Sequence, residues 1–518
     1  MSPNLIIWLS LLTLSGVLAV VLKDRAQRIA RRAFVAVLSA FVLFSFGATL
    51  SRPGRMVKTT ATLEADRADL LLRIGLAVQV LDLEMHKLVG AEPGSSSGVT
   101  ALRQQDFHEE AIKIFKSALV DAPDAEDLKA KLAVAIADAG RPKDKLEFGL
   151  ICRELAASKV ESMRRLGQAL PAIYLSKRVA PGKIDELSQA LMAGLPEGWY
   201  RDTSLLRLYK VAGDSKRYDQ LFAQVEDSAA RFLLNVVVAM LAGIVITLTG
   251  AVVLIIQVFL LPRRLSSESD DQFWRQHMAW DGRIVYVVFV AWLATEILFG
   301  SFAQMAIKNF NLLHKGPLIA ALSTALSYVV ATVPGLVYMY WCAFRPHGIK
   351  FRDGLNLKLH VGKRGPVGLC LTGIWAWTAA VPTVIVGFML ANRFLGSQGS
   401  SNPIISLLLD AARSSNPLAG ILLYLTVGLL APFCEEALFR GFLYGSLRSR
   451  LGVGTSLFVS AALFSSVHLD PGAVVPLFCI GWICGFVFER TRSLVPSMVA
   501  HGLWNCASFS LILLISGK

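Results

Sequence analysis

Cysteine is scarce here and badly spaced for a framework. The 518 residues hold seven, and only Cys152 lies outside or away from an apolar run. That usage excludes a disulfide scaffold and a cysteine-based zinc site. The zinc-peptidase pattern HExxH is also missing. Charge is sparse: 17% of residues are Asp, Glu, Lys or Arg, against 54% hydrophobic, and the mean hydropathy is +0.53. Such a chain is too apolar for an ordinary soluble globule and suits a membrane protein with a soluble part. No small-residue cleavage site accompanies the first apolar run, which is followed by KDRAQRIARR. That run is therefore read as a retained span and not as a signal peptide. The final LLISGK carries no prenylation signal.

What the chain does have is long oily runs. A spanning helix needs about 20 mostly apolar residues. Runs of that kind lie near 4–22, 33–50, 232–261, 284–306, 317–342, 366–392, 417–434, 454–468, 473–489 and 494–515, the last four interrupted or short. The net charge of +14 is not spread evenly. Residues 52–230 hold 26 basic and 26 acidic side chains, so the whole excess sits in the apolar remainder, beside the runs. That placement fits the positive-inside rule and anionic lipid, and no nucleic-acid partner is expected. Lys23, Arg25, Arg28, Arg31 and Arg32 mark one inside loop, and Arg345, Lys350, Arg352, Lys358, Lys363 and Arg364 another. With both inside, 52–230 and the two ends fall outside, and Arg448, Arg450, Arg490 and Arg492 fall inside. The expected place is a multi-pass position in a bacterial cytoplasmic membrane.

The expected fold class is all-α: a polytopic helical membrane protein with an inserted helical extramembrane domain. The divisions are two N-terminal spans in 1–51, the extramembrane domain in 52–230, spans and basic loops in 231–416, and a separate apolar block in 417–518. Within 52–230 charged and apolar residues alternate at helical spacing, broken by GAEPGSSSG. In FHEEAIKIFKSALVDAPD, residues Ala111, Phe115, Ala118, Leu119 and Pro123 fall where the second helix of a tetratricopeptide repeat places small, large, small, large and terminating residues. The preceding segment lacks a matching first helix, so a generic helical hairpin is an equal reading. A repeat would imply a protein or peptide partner at 52–230.

Charged residues inside oily runs are functional candidates, because each costs at least a few kcal/mol there. Glu296 has no partner visible in sequence, Glu489 is read with Arg490 as an interfacial anchor, and Asp410 as part of a loop or interfacial turn. The densest case is CEEALFRGFLYG, Cys434 to Gly445. On a helix Glu436 and Arg440 share a face and can pair. Glu435 is turned by about 100° and points elsewhere. One glutamate is thus structural and the other free for chemistry. Downstream, FSSVH places Phe464 and His468 four apart, and HGLWN does the same for His501 and Asn505. A carboxylate helped by an imidazole can take a proton from water as it attacks a carbonyl, and a His with an Asn can stabilise the oxyanion. Singly, each residue has a plainer reading as packing, interfacial anchoring or helix glue. Together they point to one polar pocket. Simple spans put Glu435 near the inner end of its helix and His468 at the far end of the next, so the two depths meet only with a break at Pro432 or a tilted helix.

At these residues the sequence resembles the CAAX-protease and bacteriocin-processing (CPBP, or Abi) intramembrane peptidases, whose signature runs EExxxR, FxxxH, then HxxxN or HxxxD on separate membrane helices. EEALFR, FSSVH and HGLWN match it without departure, over roughly 417–515. The resemblance implies that 417–518 is an intramembrane peptidase core. It implies Glu435 as general base, His468 as its helper, and His501 and Asn505 as oxyanion donors. Glu436, Arg440 and Phe464 would support them. It implies a glutamate-type mechanism with no cofactor, and a protein or peptide substrate, lipidated in eukaryotic relatives, met in membrane lipid. A divalent metal such as zinc on Glu435, His468 and His501 is the alternative. A non-catalytic scaffold or immunity-type protein, or a transporter with Glu296 and Glu435 on a proton path, are the rival functions.

Overall fold

In a computed structural model of the chain, the described residues are 65, 67–80, 104–260, 272–274, 278, 280–395, 407, 408, 411, 416–468, 470 and 473–515. The runs at 4–22 and 33–50, the basic loop at 23–32, GAEPGSSSG and Asp410 lie outside them. Among the described residues the regular structure is helical, with one isolated bridge between Val361 and Arg364. The chain divides into two units. Of the described residues, those in 65–241 and 514–515 form one, and those in 242–395 and 407–513 form the other.

The first unit is built from α1 (67–80), α2 (Gln104–Asp121), α3 (Glu126–Ala139), α4 (Lys145–Ala156), α5 (Glu161–Tyr174), α6 (Ile184–Gly194), α7 (Trp199–Ala212) and the start of α8 (Ser215–Leu260). From α2 to α7 each helix packs on the next, and α3 also meets α5 and α7. Ala111, Phe115 and Ala118 turn inward from α2, and small residues there let the neighbouring helix approach closely. Pro123 follows the helix end, where its missing N–H costs nothing. Asp69 on α1 accepts from Lys131 on α3 at 2.7 Å and from the Tyr200 hydroxyl on α7, tying three helices with one carboxylate. Burial pushes the Cys152 thiol up to about 12, so this cysteine is an inert packing group.

The second unit contains the rest of α8 from Ala242, then α9 (Gly282–Asn309), α10 (Pro317–Met339), α11 (Pro366–Leu395), α12 (Pro417–Arg448), α13 (Val453–Ser466), α14 (Val474–Thr491) and α15 (Val495–Ile515). Seven helices among the described residues are long and apolar enough to cross a membrane, and α13 is a shorter apolar helix. The protein is an integral, multi-pass membrane protein. Its core gathers aromatic side chains from α9, α12, α13 and α14, with Phe439 at the centre: Phe289, Trp292 and Phe464 all meet its ring edge-on at 5.2–5.6 Å.

Two local features of α12 set up the site. The oily run ends at residue 434, but the helix continues to Arg448, because its charged side chains find partners inside the protein. The helix also widens into π-helical turns at Thr426–Leu430 and Ala437–Tyr444, on either side of Ala431–Glu436. Such bulges occur most often at functional positions. The longer α12 resolves the depth conflict. Glu435 lies 13 residues before Arg448, and His468 lies 15 residues after Val453, the two helices being joined by a short turn. At about 1.5 Å per residue both stand roughly 20 Å from that turn.

Candidate active site

Three helices deliver the polar side chains. Glu435 and Glu436 come from the regular stretch of α12, His468 from just beyond the end of α13, and His501 from α15. Glu436 and Arg440 are completely buried and paired, Arg440 Nη1 to Glu436 Oε1 at 2.9 Å. Arg440 Nη2 donates to the Gly481 carbonyl on α14 at 3.0 Å, and the guanidinium lies over the Phe464 ring at 4.4 Å. A side chain at position 481 would crowd both Arg440 and Phe464, with contacts of 3.2 Å, so glycine leaves the room that α14 needs to reach the pair. The same Glu436 oxygen also receives His501 Nδ1 at 2.9 Å.

Glu435 points away from that pair. Its Oε2 is 3.8 Å from His468 Nε2 and 3.8 Å from His501 Nε2, and it makes no hydrogen bond. Its Oε1 accepts from the Tyr328 hydroxyl on α10 at 3.3 Å. The tautomers follow from the partners on the far side of each ring. His468 Nδ1 is 2.7 Å from the Phe464 carbonyl, which can only accept, so Nδ1 carries hydrogen. His501 Nδ1 likewise donates to the Glu436 carboxylate. In the neutral rings both Nε2 atoms are then bare lone pairs facing Glu435. Phe464 packs both imidazoles, with ring centroids 4.9 Å from His468 and 5.6 Å from His501.

Asn505 is placed differently. Its Nδ2 donates at 2.8 Å to the Val427 carbonyl, in the first π-helical turn of α12. The bond sits beside a backbone-to-backbone contact: a Cβ on Gly502 would lie 2.3 Å from the Gly428 oxygen. One amide hydrogen of Asn505 is thus committed to holding α15 on α12. The structure therefore brings Glu435, His468 and His501 together, with Glu436, Arg440 and Phe464 behind them, and leaves Asn505 on the adjoining backbone.

Other polar groups also bridge helices. Glu489 accepts from Tyr444 at 2.9 Å and from Arg448 at 3.0 Å, closing the end of α12 onto α14. Glu296 accepts from Thr332 on α10 at 2.6 Å. Tyr328 had not been singled out in the sequence. The available signal was a tyrosine four residues before a threonine, in the oily run SYVVAT. Among the described residues no group of three or more His, Cys, Asp or Glu side chains is arranged to hold a metal ion. The 3.8 Å spacings are wider than the separation of about 3.3 Å expected of tetrahedral ligands around zinc.

All three motifs lie within residues 417–507, which match the family model described as Type II CAAX prenyl endopeptidase Rce1-like. This segment is similar to that family. Two curated relatives match parts of the chain. The chain is 24% identical over 155 residues to "Putative membrane peptidase YdiL" of Bacillus subtilis, covering 28% of this chain and 58% of that protein. It is 26% identical over 90 residues to "UPF0177 protein YxdF" of Lactococcus lactis subsp. lactis, covering 17% of this chain and 49% of that one. The chain thus spans about half the length of the curated relatives it matches. No solved structure matches it. The Rce1-like segment holds every side chain of the Glu435 cluster except Tyr328, which α10 supplies.

Proposed function

We propose that the chain is an intramembrane endopeptidase in which Glu435 activates water to hydrolyse a peptide bond. The observation that carries this reading is the convergence of three acceptors. Glu435 Oε2 stands 3.8 Å from each of the two Nε2 atoms without bonding, because none of them has a hydrogen to give. A water molecule has two, and can donate to Glu435 and to one imidazole while its lone pair meets a carbonyl carbon. Glu435 takes the proton as the C–O bond forms and the carbonyl electron pair moves to oxygen. It then hands that proton to the leaving nitrogen as the C–N bond breaks. The developing oxyanion is met by the second amide hydrogen of Asn505. Phe464, Arg440 and Glu436 hold the imidazoles in place. No step is routed through a metal.

The test is cleavage by the full-length protein in liposomes, offered a peptide library that includes prenylated peptides, with and without a chelator. The expected result is cleavage that survives the chelator and falls at least about a hundredfold in His468→Ala. Cleavage abolished by the chelator would replace the glutamate mechanism with a metal one. Absence of cleavage, combined with full biological function of His468→Ala, would favour a scaffold.

A further inference from the structure

Glu435 has two carboxylate oxygens, and only one of them faces the imidazoles. The last torsion of a glutamate side chain is soft and roughly two-fold, so the carboxylate plane is not fixed by its own rotamer. Something outside the chain's own torsions must hold it. Tyr328 is placed to do so: its hydroxyl donates to Oε1 at 3.3 Å, on the side opposite the histidines. Contacts of this kind are often long in an empty site and tighten when substrate binds.

Tyr328 is itself held from behind. Thr332 lies one turn further along α10, on the same face. Thr332 is almost fully buried and donates to Glu296 of α9 at 2.6 Å. α9 and α10 pack along their length, so this bond fixes the depth at which α10 presents the tyrosine. A line of polar side chains thus runs Glu435, Tyr328, Thr332, Glu296 across three spanning helices. It also accounts for Glu296, a carboxyl that would otherwise be costly in this setting.

We propose that Tyr328 is a positioning residue that orients the Glu435 carboxylate, with the Thr332–Glu296 bond holding Tyr328 in register. The inference rests on Glu435 being the base, and extends the working site to two helices outside the Rce1-like segment. On this account Glu296 acts as a hydrogen-bond acceptor, not as a proton carrier.

The test uses the full-length protein in liposomes and has two arms. Infrared difference spectra locate the Glu435 carboxyl band by its loss in Glu435→Gln. In Tyr328→Phe that band shifts, whereas Tyr424→Phe, which removes a hydroxyl paired with Ser510, leaves it in place. An unmoved band in Tyr328→Phe overturns the proposal, whatever the activity. In the second arm, with a cleaved peptide, Tyr328→Phe lowers kcat about tenfold, as loss of a hydrogen bond to a charged group would. KM stays within about twofold on the same principle, and Tyr424→Phe keeps the wild-type kcat. A change confined to KM overturns it. If wild type cleaves no peptide, the peptidase reading fails on that result, while the infrared arm still decides whether Tyr328 orients Glu435.

Discussion

The two units contain the same local device with opposite surroundings. In the first, Glu161 and Arg165 are four residues apart on α5 and pair at 2.7 Å, with side chains 53% and 63% exposed. In the second, Glu436 and Arg440 are four apart on α12 and pair at 2.9 Å, with both side chains at 0%. Spacing and distance barely differ. The solvated pair exchanges water for a partner and gains little, and Glu161 also pairs with Arg164. The buried pair has lost its water altogether and depends on every contact around it: Gly481, His501 and the face of Phe464. A motif's chemistry is legible in its spacing, but its energetic weight is set by what packs over it.

Substitutions that remove one partner from each pair sharpen this contrast. Arg440→Ala should destabilise the second unit by about 3–5 kcal/mol, because it strands a buried carboxylate. The readout is unfolding of the reconstituted protein, followed by loss of hydrogen-exchange protection in α12 and α14. A cost below about 1 kcal/mol would show that water reaches the pair. Arg165→Ala at the other end should cost less than about 0.5 kcal/mol, read as exchange protection in α5. A large effect there would break the comparison.

Much of the site could be read from the chain alone, for a simple reason. Neighbours on one helix are fixed by its geometry, so the different partners of Glu435 and Glu436 follow from their offset of about 100°. The order EEALFR, FSSVH, HGLWN named the three segments that meet. Contacts between distant segments carry no such signature. Tyr328 reaches Glu435 across 107 positions, and Asn505 reaches Val427 across 78, through backbone widened by π-helical turns that no residue pattern announces. The end of α12 was misplaced for a related reason. Charges usually close an oily run, and here they are consumed internally, so the helix carries on to Arg448. Glu489 likewise meets Tyr444 and Arg448, more than 40 positions away.

We propose that two adjacent glutamates divide the work, Glu436 holding the helices and Glu435 handling the proton. The most direct measurement compares Glu435→Gln with Glu436→Gln in liposomes, recording both peptide cleavage and unfolding. The account predicts that Glu435→Gln loses cleavage by at least about a hundredfold while unfolding like wild type. It predicts that Glu436→Gln unfolds more easily by about 3–5 kcal/mol, since Arg440 then lacks its counter-charge. Wild-type cleavage by Glu435→Gln, or an undisturbed fold in Glu436→Gln, would contradict it.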